Sequence, residues 1–202
     1  MTCIVALEIP GVGVVMGGDR AAGSGARMFD TSTPKIVSNG ELMMGFTSSY
    51  RMGQLLQYAL VPPMESLGWD VDRWVTVDFM GALMSAFTAA RWDEVALGNV
   101  AKGGNFLLAV RGRCYEVQEN YAWNRFASGE YSVGSGEDIA HGALSALRPV
   151  AAMQPGRFLS VEQRNIAVRE GESRVRHALE IAVAHVGSVR PPFDLEFQPV
   201  PE

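Results

Sequence analysis

The residue with the sharpest chemical potential stands second in the chain, in the opening run MTCIVALEIP. Trimming of Met1, which the small side chain of Thr2 permits, would leave a threonine as N-terminus. Its hydroxyl and α-amine would then sit on adjacent atoms, a nucleophile with a built-in base. A plainer reading is equally open, because threonine is β-branched and suits the first position of a strand. Other familiar chemistries are missing. GVGVVMGG carries Met16 where a dinucleotide fingerprint needs glycine, and no helical pattern follows it. There is no phosphate-loop lysine motif and no His-Glu-x-x-His, and GSG at Gly134–Gly136 is too short for a nucleophile elbow. His141, His177 and His185 are scattered without metal-ligand spacing, so neither a metal nor a cofactor is expected.

Composition sets the frame for this nucleophile. The 202 residues are 48% hydrophobic, enough to bury the core of a single domain spanning 1–202. A net charge of −5 supplies no basic face for phosphate backbones, which argues against a nucleic-acid partner. Two cysteines, Cys3 and Cys114, cannot build a disulfide framework, and a reducing cytoplasm suits them. The apolar opening is too short, and lacks the positive lead-in, for a secretory signal; no run reaches membrane-spanning length. Lysine occurs only at Lys35 and Lys102, which makes each easy to weigh.

The elements that must position Thr2 are legible as blocks. TCIVALEI and GVVMGGD read as paired strands joined by PGVG, and PKIVSNGELMMGF as a second hairpin turning at Asn39-Gly40. From Ser49 the period becomes helical, with Met52, Leu55, Leu56, Ala59 and Leu60 in one stripe that stops at Pro62-Pro63. Asp70 is placed to cap the next helix, whose row Val75, Phe79, Leu83, Phe87 steps by four. A polar, glycine-bearing loop is expected after it. NFLLAVRG and RCYEVQEN form another hairpin, EYSVGSG a short strand, and EDIAHGALSALR a helix. Ser160 with Gln163 matches a capping box for a long helix whose Val175, Leu179, Ala182, Val183 and Val186 share a side; FDLEFQPV closes as a strand. The order β-β-α-α-β-β-α-α-β predicts an α+β fold of two antiparallel sheets with helices outside.

MTCIVA, GVVMGGDRAA, PKI, a hairpin ending in GF before a helix, and YSVGSGEDIAHGAL, in this order and separation, resemble the proteasome β-subunit family. The bacterial HslV-type peptidase is the nearest in style. The resemblance runs from Thr2 to about Phe193. It implies an N-terminal nucleophile hydrolase with a four-layer αββα sandwich. It further implies cleavage of peptide bonds in polypeptide substrates, within stacked homo-oligomeric rings fed by an ATP-dependent unfoldase. Carried over by position, Thr2 matches the catalytic threonine, Asp19 in GGDRA the aspartate and Lys35 in PKI the lysine. Ser135 in GSG matches a serine near the nucleophile, and Ser188 a second. The oxyanion-binding backbone N–H falls at Ser48 in GFTSS, where relatives usually have glycine; the added side chain is expected to narrow the pocket. Arg20, Ala21, Phe46 and Ser49 align with substrate-binding positions.

These roles make chemical sense. A free α-amine titrates near ~8, which suits proton transfer at neutral pH. A lysine cation nearby disfavours the protonated amine and stabilises the developing alkoxide, and Asp19 would hold that lysine. Taken singly, Asp19 is also a plausible turn cap and Lys35 a strand-end lysine. One position departs from the pattern: His185 stands three residues before Ser188, where the family commonly has aspartate. Two other functions fit the same fold, a catalytically inactive ring or shell protein and an amidohydrolase acting on small amides.

Overall fold

The computed structural model of the chain describes residues 2–24, 27–92, 94–96, 99–101, 103–147 and 159–201; Met1 and Lys102 lie outside them. The chain begins with the antiparallel pair β1 (Cys3–Ile9) and β2 (Gly13–Asp19), followed by a short hairpin of β3 (Ala21–Ser24) and β4 (Arg27–Asp30). A second pair, β5 (Ile36–Asn39) and β6 (Leu42–Phe46), turns through Gly40, whose φ of +60° a glycine adopts without strain. Helix α1 (Tyr50–Tyr58) follows, then α2 (Val71–Trp74), a π-helical turn over Val75–Phe79, and α3 (Met80–Ala89). The hairpin β7 (Glu94–Ala96) and β8 (Asn99–Ala101) leads into β9 (Phe106–Val110), β10 (Arg113–Val117) and β11 (Trp123–Asn124). The chain closes with β12 (Glu130–Gly134), α4 (Glu137–Ala146), α5 (Val161–His185) and β13 (Phe193–Pro199).

Two antiparallel sheets result, one ordered β12-β1-β2-β13 and the other β11-β10-β9-β6-β5. Alternation along β1 explains how they stack. Cys3, Val5, Leu7 and Ile9 pack with Leu144, Val175 and Leu179 of α4 and α5, while Ile4 and Ala6 face Met43, Leu107 and Ala109 of the opposite sheet. A strand covered on both faces carries a near-continuous apolar run, as β1 does but for Glu8 near its end. On the far side, Met44, Phe46 and Leu108 meet Met52, Leu56, Phe79, Leu83 and Phe87. Three apolar layers therefore separate four layers of structure, helix, sheet, sheet and helix. Each large side chain sealed into such a layer is worth about 1.5–3 kcal/mol.

The expected hairpins, caps and long helix are present. Asp70 accepts from the Arg73 N–H at 3.0 Å, and Ser160 and Gln163 form a reciprocal capping box. Val75, Phe79, Leu83 and Phe87 are all fully buried. Ala59, placed in the buried stripe of α1, instead is exposed one residue beyond the helix. The polar loop expected after α3 contains the β7–β8 hairpin, and β3–β4 is likewise additional. Both are too short for an alternating pattern to register in sequence. The glycines of GGD have a packing reason: a Cβ on Gly17 would come within 2.5 Å of Val175 and one on Gly18 within 2.8 Å of Ile4. They let α5 approach one face and the second sheet the other.

Candidate active site

Thr2 immediately precedes β1 and is 5% exposed. β12 runs alongside so closely that a Cβ on Gly134, at φ +106°, would overlap the Thr2 carbonyl. This close approach brings GSG to the threonine. The Thr2 nitrogen donates to Ser135 Oγ at 3.2 Å, and Ser135 Oγ in turn donates to the Thr2 carbonyl at 3.2 Å. Ser188 Oγ lies 3.1 Å from Ser135 Oγ. A hydroxyl has one proton, so with Ser135 donating to Thr2, Ser188 is the donor to Ser135. The two serines thus form a relay onto the threonine backbone. His185 is exposed on the last turn of α5.

Asp19, the last residue of β2, is wholly buried and accepts three hydrogen bonds. Its Oδ1 receives the Cys3 N–H at 2.8 Å and Lys35 Nζ at 2.9 Å, and its Oδ2 receives the Ala21 N–H at 3.1 Å. Lys35 is 3% exposed, immediately before β5, and its carbonyl accepts from the Phe46 N–H, which ties the lysine to β6. Burial pushes the Lys35 ammonium below its ordinary range, opposed by the attraction and hydrogen bond of Asp19. Burial also drives the Cys3 thiol up to about 12, with Asp19 reinforcing it. Cys3 is therefore a protonated, inert thiol beside the candidate nucleophile.

Thr2 and Lys35 line one cleft of about 160 Å³ with Ala21, Ala22, Gly23, Phe29, Phe46, Thr47, Ser48, Ser49 and Tyr50. Ala21, Phe46, Ser48 and Ser49 were expected there from sequence. Arg20 is absent from the lining: its guanidinium is engaged by the Asp194 carboxylate through Nε at 2.8 and 2.9 Å and Nη2 at 2.6 Å. It clamps the end of β2 to β13 rather than facing the cleft. Thr47, Phe29 and Tyr50 are additional: Thr47 and Tyr50 adjoin the expected Phe46, Ser48 and Ser49, and Phe29 reaches the cleft through the β3–β4 hairpin.

The loop after β6 has an unusual backbone. Ser48 adopts φ +66°, a left-handed conformation that costs a side-chain-bearing residue about 1–2 kcal/mol. Its neighbours hold it there. The Thr47 N–H and Oγ1 both donate to the Asn105 carbonyl, at 3.2 and 2.7 Å, and the Ser49 N–H donates to the Thr47 carbonyl at 2.7 Å. Ser49 also caps α1, its Oγ accepting from the Arg51 N–H at 3.1 Å. Between these anchored groups, the Ser48 N–H has no acceptor among the described residues. Ser48 lines the same cleft as Thr2, and an unpaired backbone N–H is a group that can stabilise a developing oxyanion. No group of acidic, histidine and cysteine side chains suited to a metal ion occurs among the described residues.

No family model matches the chain, and no curated protein matches it. Solved structures do. BPH of Thiobacillus denitrificans superposes with a TM-score of 0.72 at 15% identity, covering 98% of each chain. The same protein in complex with epoxomicin gives 0.71 at 15%, over 99% of this chain and 100% of that one. Eukaryotic HslV from Trypanosoma brucei gives 0.63 at 17%, over 96% and 98%. At such identities the likeness establishes architecture, and it extends over nearly the full length of both partners. The chain has the α+β fold, with paired antiparallel sheets, that BPH and HslV share.

Proposed function

We propose that this chain is a threonine-type endopeptidase whose nucleophile is Thr2 after removal of Met1. The observation that carries the reading is the buried Lys35–Asp19 pair, whose lysine lines the same cleft as Thr2. A buried ion pair is costly to keep for stability alone, and a cation here favours an alkoxide. The Thr2 hydroxyl attacks the scissile carbonyl and its proton passes to the α-amine. Charge on the carbonyl oxygen is received by the Ser48 N–H, a contribution of roughly 3–4 kcal/mol to the barrier. Collapse breaks the C–N bond, and the amine returns its proton to the leaving group. Water then hydrolyses the ester on Thr2 with the amine again taking a proton. The Ser188–Ser135 relay orients the amine.

The cleft's size favours a polypeptide over a free metabolite. At about 160 Å³ it is roughly half the lower end of small-molecule sites, which suits one side chain of a longer substrate. Epoxomicin bound to BPH supports a shared peptidase chemistry. Exposed Tyr58, Val61 and Trp69 supply apolar surface for assembly of copies into stacked rings, with an ATP-dependent unfoldase as feeder. No helix among the described residues is long and apolar enough to cross a membrane, and both cysteines are buried free thiols, which fits a cytoplasmic setting.

Intact mass combined with a peptide epoxyketone, which engages hydroxyl and free amine together, tests the proposal. A Met1-free chain should cleave peptides, gain one adduct on Thr2 and lose cleavage with it, and Thr2→Ala should take no adduct and show no peptide cleavage. Full turnover with Met1 retained or the N-terminus blocked would overturn it.

A further inference from the structure

We propose that Gly104 is a positioning residue, the seat on which the Ser48 side chain rests so that its backbone N–H stays turned into the cleft. This rests on the oxyanion role given to Ser48 above. A serine at φ +66° needs external restraint, because a glycine would adopt that conformation freely and a serine would not. Thr47 and Ser49 restrain the chain on either side through the Asn105 carbonyl and the Thr47 carbonyl. The Ser48 hydroxymethyl group itself leans on Gly104, in the segment that enters β9. A Cβ built there would lie 2.7 Å from Ser48 Oγ and 2.9 Å from Ser48 Cβ, with the next atom, Met52 Cε, at 3.5 Å.

The two short distances have different consequences. An Oγ rotates aside at small cost, but a Cβ is fixed to the backbone, so relieving the second contact moves the Ser48 peptide itself. Gly104 is buried and outside the left-handed region, so an alanine suits its own backbone and the clash with Ser48 is the main perturbation. The sequence has thus exchanged one freedom for another. A serine stands where backbone flexibility would serve, and a glycine across the loop vacates the volume that the serine fills.

The experiment is a double-mutant cycle in the Met1-free enzyme, read with a fluorogenic peptide. Gly104→Ala should lower kcat at least about tenfold with KM changed less than about threefold, since an oxyanion donor acts in the transition state. In a Ser48→Gly background the same Gly104→Ala change should cost less than about twofold. Equal losses in the two backgrounds would overturn the inference. Should Gly104→Ala alone fail to fold, recovery of a folded chain in the double variant carries the same coupling, and its absence refutes it. A crystal structure of Gly104→Ala separates this inference from the peptidase reading. Ser48 should leave the left-handed region or turn its N–H from the cleft, and an unmoved Ser48 overturns the seat whatever the activity. The peptidase reading fails on a different result, turnover that survives Thr2→Ala.

Discussion

Replacing Asp19 by asparagine should destabilise the protein strongly at neutral pH and less at alkaline pH. Asp19 accepts from three donors, the Cys3 and Ala21 N–H groups and Lys35 Nζ, and nothing donated to it is spare. An asparagine has one acceptor oxygen and an NH₂, so at least one donor faces another donor, a penalty of about 1–3 kcal/mol at any pH. Lys35, 3% exposed, also loses its counter-charge. Breaking a buried pair in this way typically costs about 3–5 kcal/mol. The lysine can escape by releasing its proton. With an ordinary value of 10.5, that release costs at most about 5 kcal/mol at pH 7 and about 1.4 at pH 9.5, at 1.36 per unit. The unfolded chain binds this proton up to the ordinary value while the folded variant does not, so the variant's stability rises with pH through that window. Asp19→Asn should therefore lose about 3–5 kcal/mol at pH 7, a fall of about 6–20 °C in Tm for a chain of this size. The loss should shrink at pH 9.5, by the span over which Lys35 of the unmutated protein, lowered but held by Asp19, keeps a proton that the variant has released. Urea denaturation of both proteins at the two pH values measures it. Adding Lys35→Met should recover part of the loss, making the double variant less unstable than the sum of its parts. A loss that is the same at both pH values, or below about 1 kcal/mol at pH 7, would refute the account of Lys35 as a buried cation held by Asp19.

Two further outcomes are expected. With Met1 removed, kcat/KM should rise as the α-amine loses its proton near about 8 and fall on the alkaline side below lysine's ordinary value, because burial has lowered Lys35; a profile with no alkaline limb would remove Lys35 from the mechanism. A Cβ at Gly53 of α1 would overlap the Phe46 ring that lines the cleft. Gly53→Ala should therefore push the ring inward, cost about 1–3 kcal/mol of stability, and shift peptide preference toward smaller side chains, each methylene being worth about tenfold or more; unchanged selectivity in a peptide panel would show that Phe46 does not bound the substrate.

Much of the architecture was legible because its signals are local. The apolar strand runs, the Asn39-Gly40 turn, the Asp70 cap and the Ser160–Gln163 box each depend on residues within a few positions of one another. Even there, Asn39 showed more than its sequence signal. Its amide donates to the Leu56 and Leu60 carbonyls and fastens β5 to the end of α1. Thr2, Asp19, Lys35, Ser135 and Ser48 could be nominated from motif order, and their residue types limit what chemistry each can do. Arg20 shows the limit of such nomination. Its position matched the cleft, yet Asp194, distant in the chain, decides where the guanidinium goes.

By itself, then, the order of residues determined most of the elements and which side chains have the chemistry of a nucleophile, a cation and an acceptor. Only the tertiary structure decided their partnerships. Antiparallel pairing of β1 with β12 carries Ser135 to Thr2 across 133 positions, and burial between the sheets sets the charge balance of Lys35. The left-handed Ser48 and its seat on Gly104 belong to the same class. Hydrogen-bond reach, desolvation and steric contact are properties of space, and segments remote in sequence supply them.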